Sequence, residues 1–185
     1  MGSGRREALE ESRIEKLDDL YRKYAKGLYY YLLRLSGSPS VAEDLVQETF
    51  LRATISLSFY RDEDVRPWLY RIARNIYIDE WRRRQRWKWV PFISKDEMIS
   101  PYGVPEQEAI TSETARELAD LLALLPENYR TILYLREYEA FTYSELEEAL
   151  GLTGAQVKVQ LYRARQKLKQ LGAKEEFWHD RMDEG

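Results

Sequence analysis

The chain has 185 residues, of which 44% are hydrophobic and 33% are charged, and its net charge is −3. This composition excludes a fully disordered chain, and no apolar run approaches the roughly 18 residues that a membrane-spanning helix needs. We therefore expect a cytoplasmic protein without membrane insertion. Cysteine is absent and His179 is the only histidine, so thiolate metal sites are excluded, histidine catalysis has almost no material, and we expect no cofactor.

Charge is strongly segregated along the chain. Between Val65 and Val90, seven arginines and one lysine stand against two acids, and between Thr153 and Lys174 six basic residues stand against none. The segment from Lys95 to Asp120 is acidic in contrast. Two basic segments on either side of an acidic one indicate two contacts with phosphate groups and a connector that makes none.

Breaks in the helical pattern predict the domain organisation. We expect a helical domain over 12–85, an extended linker rich in proline and glycine over 86–110, a second helical domain over 111–172 and an acidic tail over 173–185. The linker is assigned because it lacks helical periodicity and is too long for an ordinary loop within one domain. No strand pattern is present, so the predicted fold class is all-α.

Apolar residues at helical spacing define the elements of the first domain. In a helix over 41–53, Leu45, Val46 and Ala53 share the face that is predicted to be buried. Pro67 marks the start of a further helix that continues into the following arginine run. A proline in the first turn is tolerated because the N–H it lacks would have no helical partner there.

The second domain contains the signals of a helix-turn-helix. Thr142 with Glu145, and Thr153 with Gln156, have the spacing of two capping boxes, and Gly151 lies between them at a helix end. Two capped helices joined by a short turn place the second helix in the major groove of DNA.

Exposed positions of that second helix carry the predicted DNA contacts. Lys158 and Gln160 are placed for base edges, Arg163 and Arg165 for phosphates, and Tyr162 for apolar contact with bases. The alternative interpretation is a basic face that is merely solvated. The capped helix in front of it favours DNA binding.

The two charged faces of the first domain differ in chemistry. Arginines interleaved with aromatic residues over 65–90 are typical of surfaces that hold unstacked single-stranded bases, although Trp68 and Tyr70 are predicted to lie in the core. In the preceding helix, Asp44 and Glu48 belong to an acidic face that would repel DNA and would suit a basic protein partner. In both places a solvated charged face is the alternative.

These segments resemble the extracytoplasmic-function (group IV) sigma factors of bacterial RNA polymerase, which are two-domain members of the sigma-70 family. Over 41–53, VAEDLVQETFLRA is similar to region 2.2, which contacts the polymerase clamp. Over 65–84, VRPWLYRIARNIYIDEWRRR is similar to regions 2.3 and 2.4, which open and read the −10 element. Residues 121–168 are similar to region 4, which reads the −35 element, and the whole resemblance spans 15–172.

The resemblance implies a function and a set of partners. It implies an all-α protein, with a region 2 bundle and a region 4 helix-turn-helix, that binds core RNA polymerase and directs initiation at one class of promoter. The expected partners are the clamp of the largest polymerase subunit, the polymerase flap, promoter DNA and an anti-sigma factor. Such a protein is not an enzyme, because the polymerase carries out the chemistry.

The resemblance also assigns residues to three binding roles. Core polymerase is expected to contact Asp44, Gln47, Glu48 and Arg52. The single-stranded −10 element is expected to contact Phe59, Tyr60, Arg71, Arg74, Asn75, Asp79, Arg82 and Arg83. The −35 duplex is expected to contact Thr153, Gln156, Lys158, Val159, Gln160, Tyr162, Arg163 and Arg165. Within the second set, Phe59 and Tyr60 would receive a flipped base, and the alternative is that they anchor their loop in the core.

One departure from the family pattern and two other classes of function remain. Val159 and Gln160 stand where the family often has a small hydroxyl residue followed by arginine, so the resemblance implies a docking mode and not a base sequence. A transcription regulator with a helical effector domain would leave the segments that resemble region 2 unexplained. A metal-dependent nucleic-acid enzyme would need paired carboxylates, whereas Asp79 and Glu80 are neighbours that diverge by about 100° on a helix.

Overall fold

The computed structural model describes the backbone of residues 3–56, 65–86 and 121–183. Side-chain surroundings are described for 15–56, 65–83 and 121–173. Within these ranges the regular structure is helical throughout, which confirms the all-α prediction. The predicted linker from residue 87 onwards, together with Phe59 and Tyr60, lies outside the described residues.

The chain divides into two compact units, Met1–Met98 and Ile99–Gly185. In the described part of the first unit, helix α1 spans Ser3–Ser36, α2 spans Pro39–Ser56 and α3 spans Val65–Arg86. Each of these helices packs against the other two. The first unit is therefore a three-helix bundle over its described residues.

A tight reversal joins the first two helices. Gly37 has a left-handed φ of 69°, which a glycine adopts without steric cost, and its N–H donates to the Leu33 carbonyl at 2.8 Å. Pro39 then opens α2 at a position where no N–H is needed. Gly37 and Pro39 thus mark the point where the chain turns back on itself.

Aromatic and aliphatic side chains fill the core of the first unit. Leu45, Val46 and Ala53 of α2 are buried, as predicted, and so are Trp68 and Tyr70 of α3. One aromatic ring pair and one hydrogen bond also connect α3 to α1. The rings of Tyr31 and Tyr70 are 5.3 Å apart between centroids, and the Tyr77 hydroxyl donates to the Leu35 carbonyl at 2.9 Å. These contacts fix α3 against α1.

The second unit is described from residue 121, where the chain is already helical. Helix α4 spans Glu127–Leu133 and is followed without a break by a π-helical turn over Tyr134–Tyr138. Helix α5 spans Tyr143–Leu150, and α6 spans Gly154–Asp183. Helix α6 packs on both α4 and α5. The buried side chains that this packing brings together are Ile132, Leu135, Phe141, Leu146, Val157, Leu161 and Ala164.

The connection from the π-helical turn to α5 is held by three local features. Ala140 adopts a left-handed φ of 53°, unusual for a residue with a side chain. The Phe141 N–H donates to the Leu135 carbonyl at 2.9 Å, and Arg136 donates to the Phe141 carbonyl at 2.6 Å. Phe141 is thereby turned into the core just before α5 begins.

Helix α6 is longer than the predicted second domain. It continues through Gly172, at which that domain was expected to end, as far as Asp183. A single interior glycine costs a helix only about 1 kcal/mol, which is too little to end it by itself. The predicted acidic tail therefore begins inside α6. Over the ranges described, no helix combines the length and the apolar character required to cross a bilayer.

Candidate nucleic-acid and partner-binding surfaces

Two capping boxes define the helix-turn-helix, and both were predicted. At the start of α5, the Glu145 N–H donates to the Thr142 hydroxyl at 3.2 Å, and the Thr142 N–H donates to the Glu145 carboxylate at 2.8 Å. At the start of α6, the Gln156 N–H donates to the Thr153 hydroxyl at 3.3 Å, and the Thr153 N–H donates to the Gln156 side-chain oxygen at 2.8 Å. Thr153 and Gln156 thus hold the beginning of the helix that carries the predicted −35 contacts.

The turn between these helices contains two glycines, of which Gly151 has the special backbone conformation. Gly151 has φ 64° and ψ 37°, the left-handed conformation predicted for it at the end of α5. At Gly154, a Cβ atom would lie 2.8 Å from a carboxylate oxygen of Glu147, a contact that the flexible end of this side chain can relieve by moving.

Helix α6 separates buried from exposed side chains cleanly. Val157, Leu161 and Ala164 are buried, and Leu168 is half-buried. The exposed side chains of the predicted −35 set are Thr153, Gln156, Lys158, Val159, Tyr162, Arg163 and Arg165. No acid occurs on α6 before Glu175, so this outward side of the helix is basic.

Two side chains of the predicted −35 set are bound within the protein. The side-chain amide of Gln160 donates to the Asn128 carbonyl at 3.0 Å, and Gln160 is only half-exposed. The Arg165 guanidinium lies 2.6 Å from the Glu137 carboxylate, with both side chains about half-exposed. Their partners are 32 and 28 residues away along the chain, so no local pattern could indicate these bonds.

The predicted polymerase-binding set lies on the outward side of α2. Asp44, Gln47 and Arg52 are exposed and Glu48 is half-buried. Arg52 donates from its Nε atom to the Glu48 carboxylate at 2.7 Å. This pair is an exposed i,i+4 bridge, which contributes roughly 0.3–0.5 kcal/mol to stability. It neutralises one of the acidic charges on this side of α2.

The same side of α2 also carries two apolar residues that sequence reasoning missed. Leu51 and Ile55 follow Asp44 by seven and eleven positions, which brings them onto its side of the helix. Leu51 is 62% exposed and Ile55 is 74% exposed. The signal was available in the helical spacing, since neither residue falls on the face that Leu45 and Val46 bury.

A groove between α2 and α3 is lined both by residues expected to bind polymerase and by residues expected to bind single-stranded DNA. It has a volume of about 440 Å³. Its lining comprises Val41, Asp44, Leu45, Glu48, Arg52, Ile76, Asp79, Glu80 and Arg83. Arg83 and Glu80 form a bridge of 2.7 Å within it. Asp79 and Arg83, expected among the single-strand contacts, therefore lie beside the polymerase-binding set.

Four further single-strand candidates share the adjoining side of α3, where Asn75 lies one turn from Asp79. Arg71, Asn75 and Arg82 recur at i, i+4 and i+11, and Arg74 lies one turn from Arg71, so these four positions occupy one side of the helix. Asn75 and Arg82 are exposed, whereas Arg71 and Arg74 are half-buried. Trp81 is 51% exposed, a large aromatic surface near these basic residues. It belongs to the interleaved aromatics but was not among the assigned contacts.

Known proteins contain the same two regions. The family model for sigma-70 region 2 matches residues 20–87, and the model for sigma-70 region 4 matches residues 115–168. The ECF RNA polymerase sigma factor SigM of Bacillus subtilis (strain 168) is 34% identical over 160 residues, covering 84% of this chain and 94% of SigM. The RNA polymerase sigma factor YlaC of the same strain is 34% identical over 158 residues, covering 84% of this chain and 91% of YlaC.

Solved structures share the fold at lower identity. The sigma factor RpoE of Bartonella quintana, solved in complex with the anti-sigma factor NepR, matches with a TM-score of 0.68 at 23% identity, covering 85% of this chain and 96% of RpoE. CnrH, solved in complex with the cytosolic domain of CnrY, matches with a TM-score of 0.62 at 21% identity, covering 85% of this chain and 88% of CnrH. Because both sigma regions are matched in order and relatives are 34% identical across most of their length, the chain belongs to the extracytoplasmic-function sigma factors of the sigma-70 family.

Proposed function

We propose that three different surfaces of this sigma factor bind core RNA polymerase, the single-stranded −10 element and the −35 duplex. As a member of its family, the protein binds core RNA polymerase and directs transcription initiation at a specific class of promoter. We assign core binding to the outward side of α2 and the adjoining groove, single-strand binding at the −10 element to the side of α3 next to that groove, and −35 recognition to α6. The protein performs no covalent chemistry and acts in the cytoplasm, where the polymerase works.

The observation that carries this assignment is the sorting of charge by helix side. In the first unit, the side of α2 that holds Asp44 and Leu51 is mostly acidic and apolar, and its arginine, Arg52, is paired with an acid, whereas the arginines at 71, 74 and 82 occupy a different side of α3. An acidic side would repel DNA, and an arginine side would repel a basic polymerase clamp. The first unit can therefore bind the polymerase clamp and single-stranded DNA at the same time, each on its own surface.

The polymerase contact combines charge with apolar surface. Asp44 and Glu48 supply negative charge for the clamp, and such exposed charges mainly set the association rate and its salt dependence. Leu51 and Ile55 supply apolar surface beside them, which is shielded from water only when a partner covers it. Asp79 of the groove extends the acidic surface onto α3.

The single-strand contact combines hydrogen bonding, charge and stacking. Asn75 offers an amide that can donate to and accept from an unpaired base edge, and Arg82 offers charge for the phosphate beside it. Trp81 offers an exposed ring on which a base can stack. We place Phe59 and Tyr60 in the same role, as receptors of a flipped base, although they lie outside the described residues.

We also propose that an anti-sigma factor regulates this protein. Two proteins of the same fold, RpoE and CnrH, were solved with partner proteins, and the partner of RpoE is an anti-sigma factor. A regulator of this chain would have to cover at least one of the three surfaces. The apolar pair Leu51 and Ile55 is the part of those surfaces that favours a protein partner over DNA.

The assignment is tested by separating binding to polymerase from binding to DNA. Transcription start sites are mapped with core polymerase alone and with the protein added, which identifies its promoters. Variants of α2 should then fail to form holoenzyme, whereas variants of α6 should form holoenzyme normally and lose promoter binding. Loss of both activities together from every variant would contradict the division into separate surfaces.

A further inference from the structure

An exposed apolar stripe runs along the outward side of α6. It consists of Ala155, Val159 and Tyr162, which are spaced four and three residues apart and therefore adjoin on the helix surface. Val159 is 48% exposed and Tyr162 is 66% exposed. Val159 lies two residues from both Val157 and Leu161, so it points about 160° away from each of those buried side chains. The stripe thus occupies the middle of the surface that faces away from the domain.

Nothing in the folded domain explains a valine and a tyrosine at these positions. A β-branched residue at an exposed helix position lowers helix propensity and gains no burial in return. Their apolar surface is covered only when a partner lies against the outward side of α6. The residues around the stripe identify that partner as a polyanion, because Lys158 and Arg163 flank it, Arg165 and Lys169 follow, and no acid lies on this stretch of the helix.

A polyanion that also offers apolar groups at a helix-sized groove is duplex DNA. Among the groups on base edges in the major groove, the thymine C5-methyl is the apolar one, and small or aromatic apolar side chains are its usual contacts. Two of the polar side chains expected to contact DNA are already engaged within the protein, Gln160 with Asn128 and Arg165 with Glu137. Of the two side chains placed for base edges, Gln160 is thus engaged and Lys158 remains, so the apolar stripe takes a larger share of base recognition.

We propose that Val159 and Tyr162 recognise thymine methyl groups in the −35 element. This inference rests on the proposed role of α6 and adds the chemical feature that it reads. The −35 element of this protein should then contain A·T pairs at the positions facing the stripe. Lys158, adjacent to the stripe, remains the residue placed for a hydrogen bond to a neighbouring base.

Deoxyuridine provides the sharpest test, because it pairs and hydrogen-bonds like thymidine and lacks only the C5-methyl group. The probe is a promoter duplex identified by start-site mapping, with each −35 thymidine replaced singly on either strand. The full-length protein, bound to core polymerase, is titrated against each duplex. Loss of one buried methyl contact should weaken binding about three- to five-fold at one or two positions and leave the other positions unchanged.

Variants of the stripe test whether its side chains cause the weaker binding to deoxyuridine duplexes. Val159→Ser or Tyr162→Ala should weaken binding to the thymidine duplex and abolish the difference between thymidine and deoxyuridine at its own position. Leu124→Ala removes another exposed apolar side chain of the same unit, outside α6, and should keep the full difference. Circular dichroism checks that each variant keeps its helix content.

The failures of the inference and of the proposed function are distinguishable. If the unmodified protein binds the −35 duplex specifically but equally well with every deoxyuridine, the methyl-recognition role is wrong while the role of α6 stands. The role is also wrong if the variants retain the difference and instead lose binding to an anti-sigma factor. If variants across α6 leave −35 recognition intact, the proposed function of α6 itself is wrong.

Discussion

Glu137 and Arg165 are 28 residues apart in the chain, yet their side chains meet at 2.6 Å. Glu137 stands in the π-helical turn after α4, and Arg165 stands in the fourth turn of α6, at the flank of the proposed DNA-binding surface. An acid thus balances one arginine of that surface in the free protein. The pair holds the guanidinium in one orientation and reduces its net attraction for phosphate.

Glu137→Gln should strengthen DNA binding that does not depend on sequence. With the carboxylate removed, Arg165 contributes a full charge, so affinity should rise a few-fold at low salt and the dependence of log K on log salt should become steeper by up to about one unit. The measurement is a titration of nonspecific duplex at several salt concentrations. Stability should change by less than about 0.5 kcal/mol, because the pair is exposed.

A double-mutant cycle separates this pair from a general charge effect. In an Arg165→Ala background, Glu137→Gln should change DNA affinity much less than it does in the unmodified protein. An equal change in both backgrounds would mean that Glu137 acts on DNA directly and not through Arg165.

Reversal of the α2 acids should weaken holoenzyme formation. Asp44→Arg with Glu48→Arg places positive charge against the basic clamp and removes the bridge to Arg52, so core affinity should fall by at least ten-fold at moderate salt while the fold remains intact. Glu15→Arg with Asp19→Arg is the matched control, since those acids are also exposed and one turn apart, on α1. Similar core affinity for both double variants would refute the assignment.

Truncation of the apolar pair should have a different salt signature. Leu51→Ala with Ile55→Ala removes apolar contact area only, so core affinity should fall about equally at low and high salt, whereas the charge-reversal defect should shrink as salt screens it. Both side chains are exposed, so the thermal midpoint should hardly change. A pull-down series against core polymerase over increasing salt makes the comparison. A defect that disappears at high salt would mean that these residues act through their charged neighbours.

Substitution of Gln160 should mainly lower stability, whereas substitution of Lys158 should mainly lower DNA affinity. Gln160→Ala removes the bond to the Asn128 carbonyl and should cost about 0.5–1.5 kcal/mol in the free energy of unfolding. Lys158→Ala should leave stability unchanged and cost about 1–3 kcal/mol in binding to the preferred −35 sequence. Denaturant titration and duplex binding give the two quantities. A Gln160→Ala variant with unaltered stability and relaxed base preference would show that this amide leaves Asn128 to contact DNA.

Asn75 and Trp81 should be required for activity even when the −10 region of the promoter is already melted. Asn75→Ala and Trp81→Ala are assayed on a normal promoter and on one premelted across the −10 region. Both should be defective on both templates, because an unpaired base must still be held, and the Trp81 variant should lose about 1–3 kcal/mol of single-strand binding. Ile72→Val, a conservative change on a half-buried neighbouring position, controls for small changes in packing. Full activity of both variants on the premelted template would exclude a role in strand capture.

The sequence predicted best those features that are decided within a few residues. The capping boxes of Thr142 and Thr153 and the left-handed Gly151 depend on partners three or four positions away, and all three are present. The bonds of Gln160 and Arg165 depend on the packing of α6 against other elements, so they escaped prediction. The position of Asp79 beside α2 could not be predicted either, because helical spacing shows which residues share a face but not which helix packs next to that face.

The π-helical turn over Tyr134–Tyr138 makes one point of the chain tolerant of a change in length. Its wide turn is closed by the Glu139 N–H, which donates to the Tyr134 carbonyl five residues back, one residue more than an α-helical turn encloses. Deleting one residue here would leave an ordinary turn, with α4 and α5 close to their present positions. The same deletion within α6 would rotate every following side chain by about 100°. Relatives that differ by a single insertion or deletion between α4 and α5 can therefore share this arrangement, whereas the spacing within α6 is rigid.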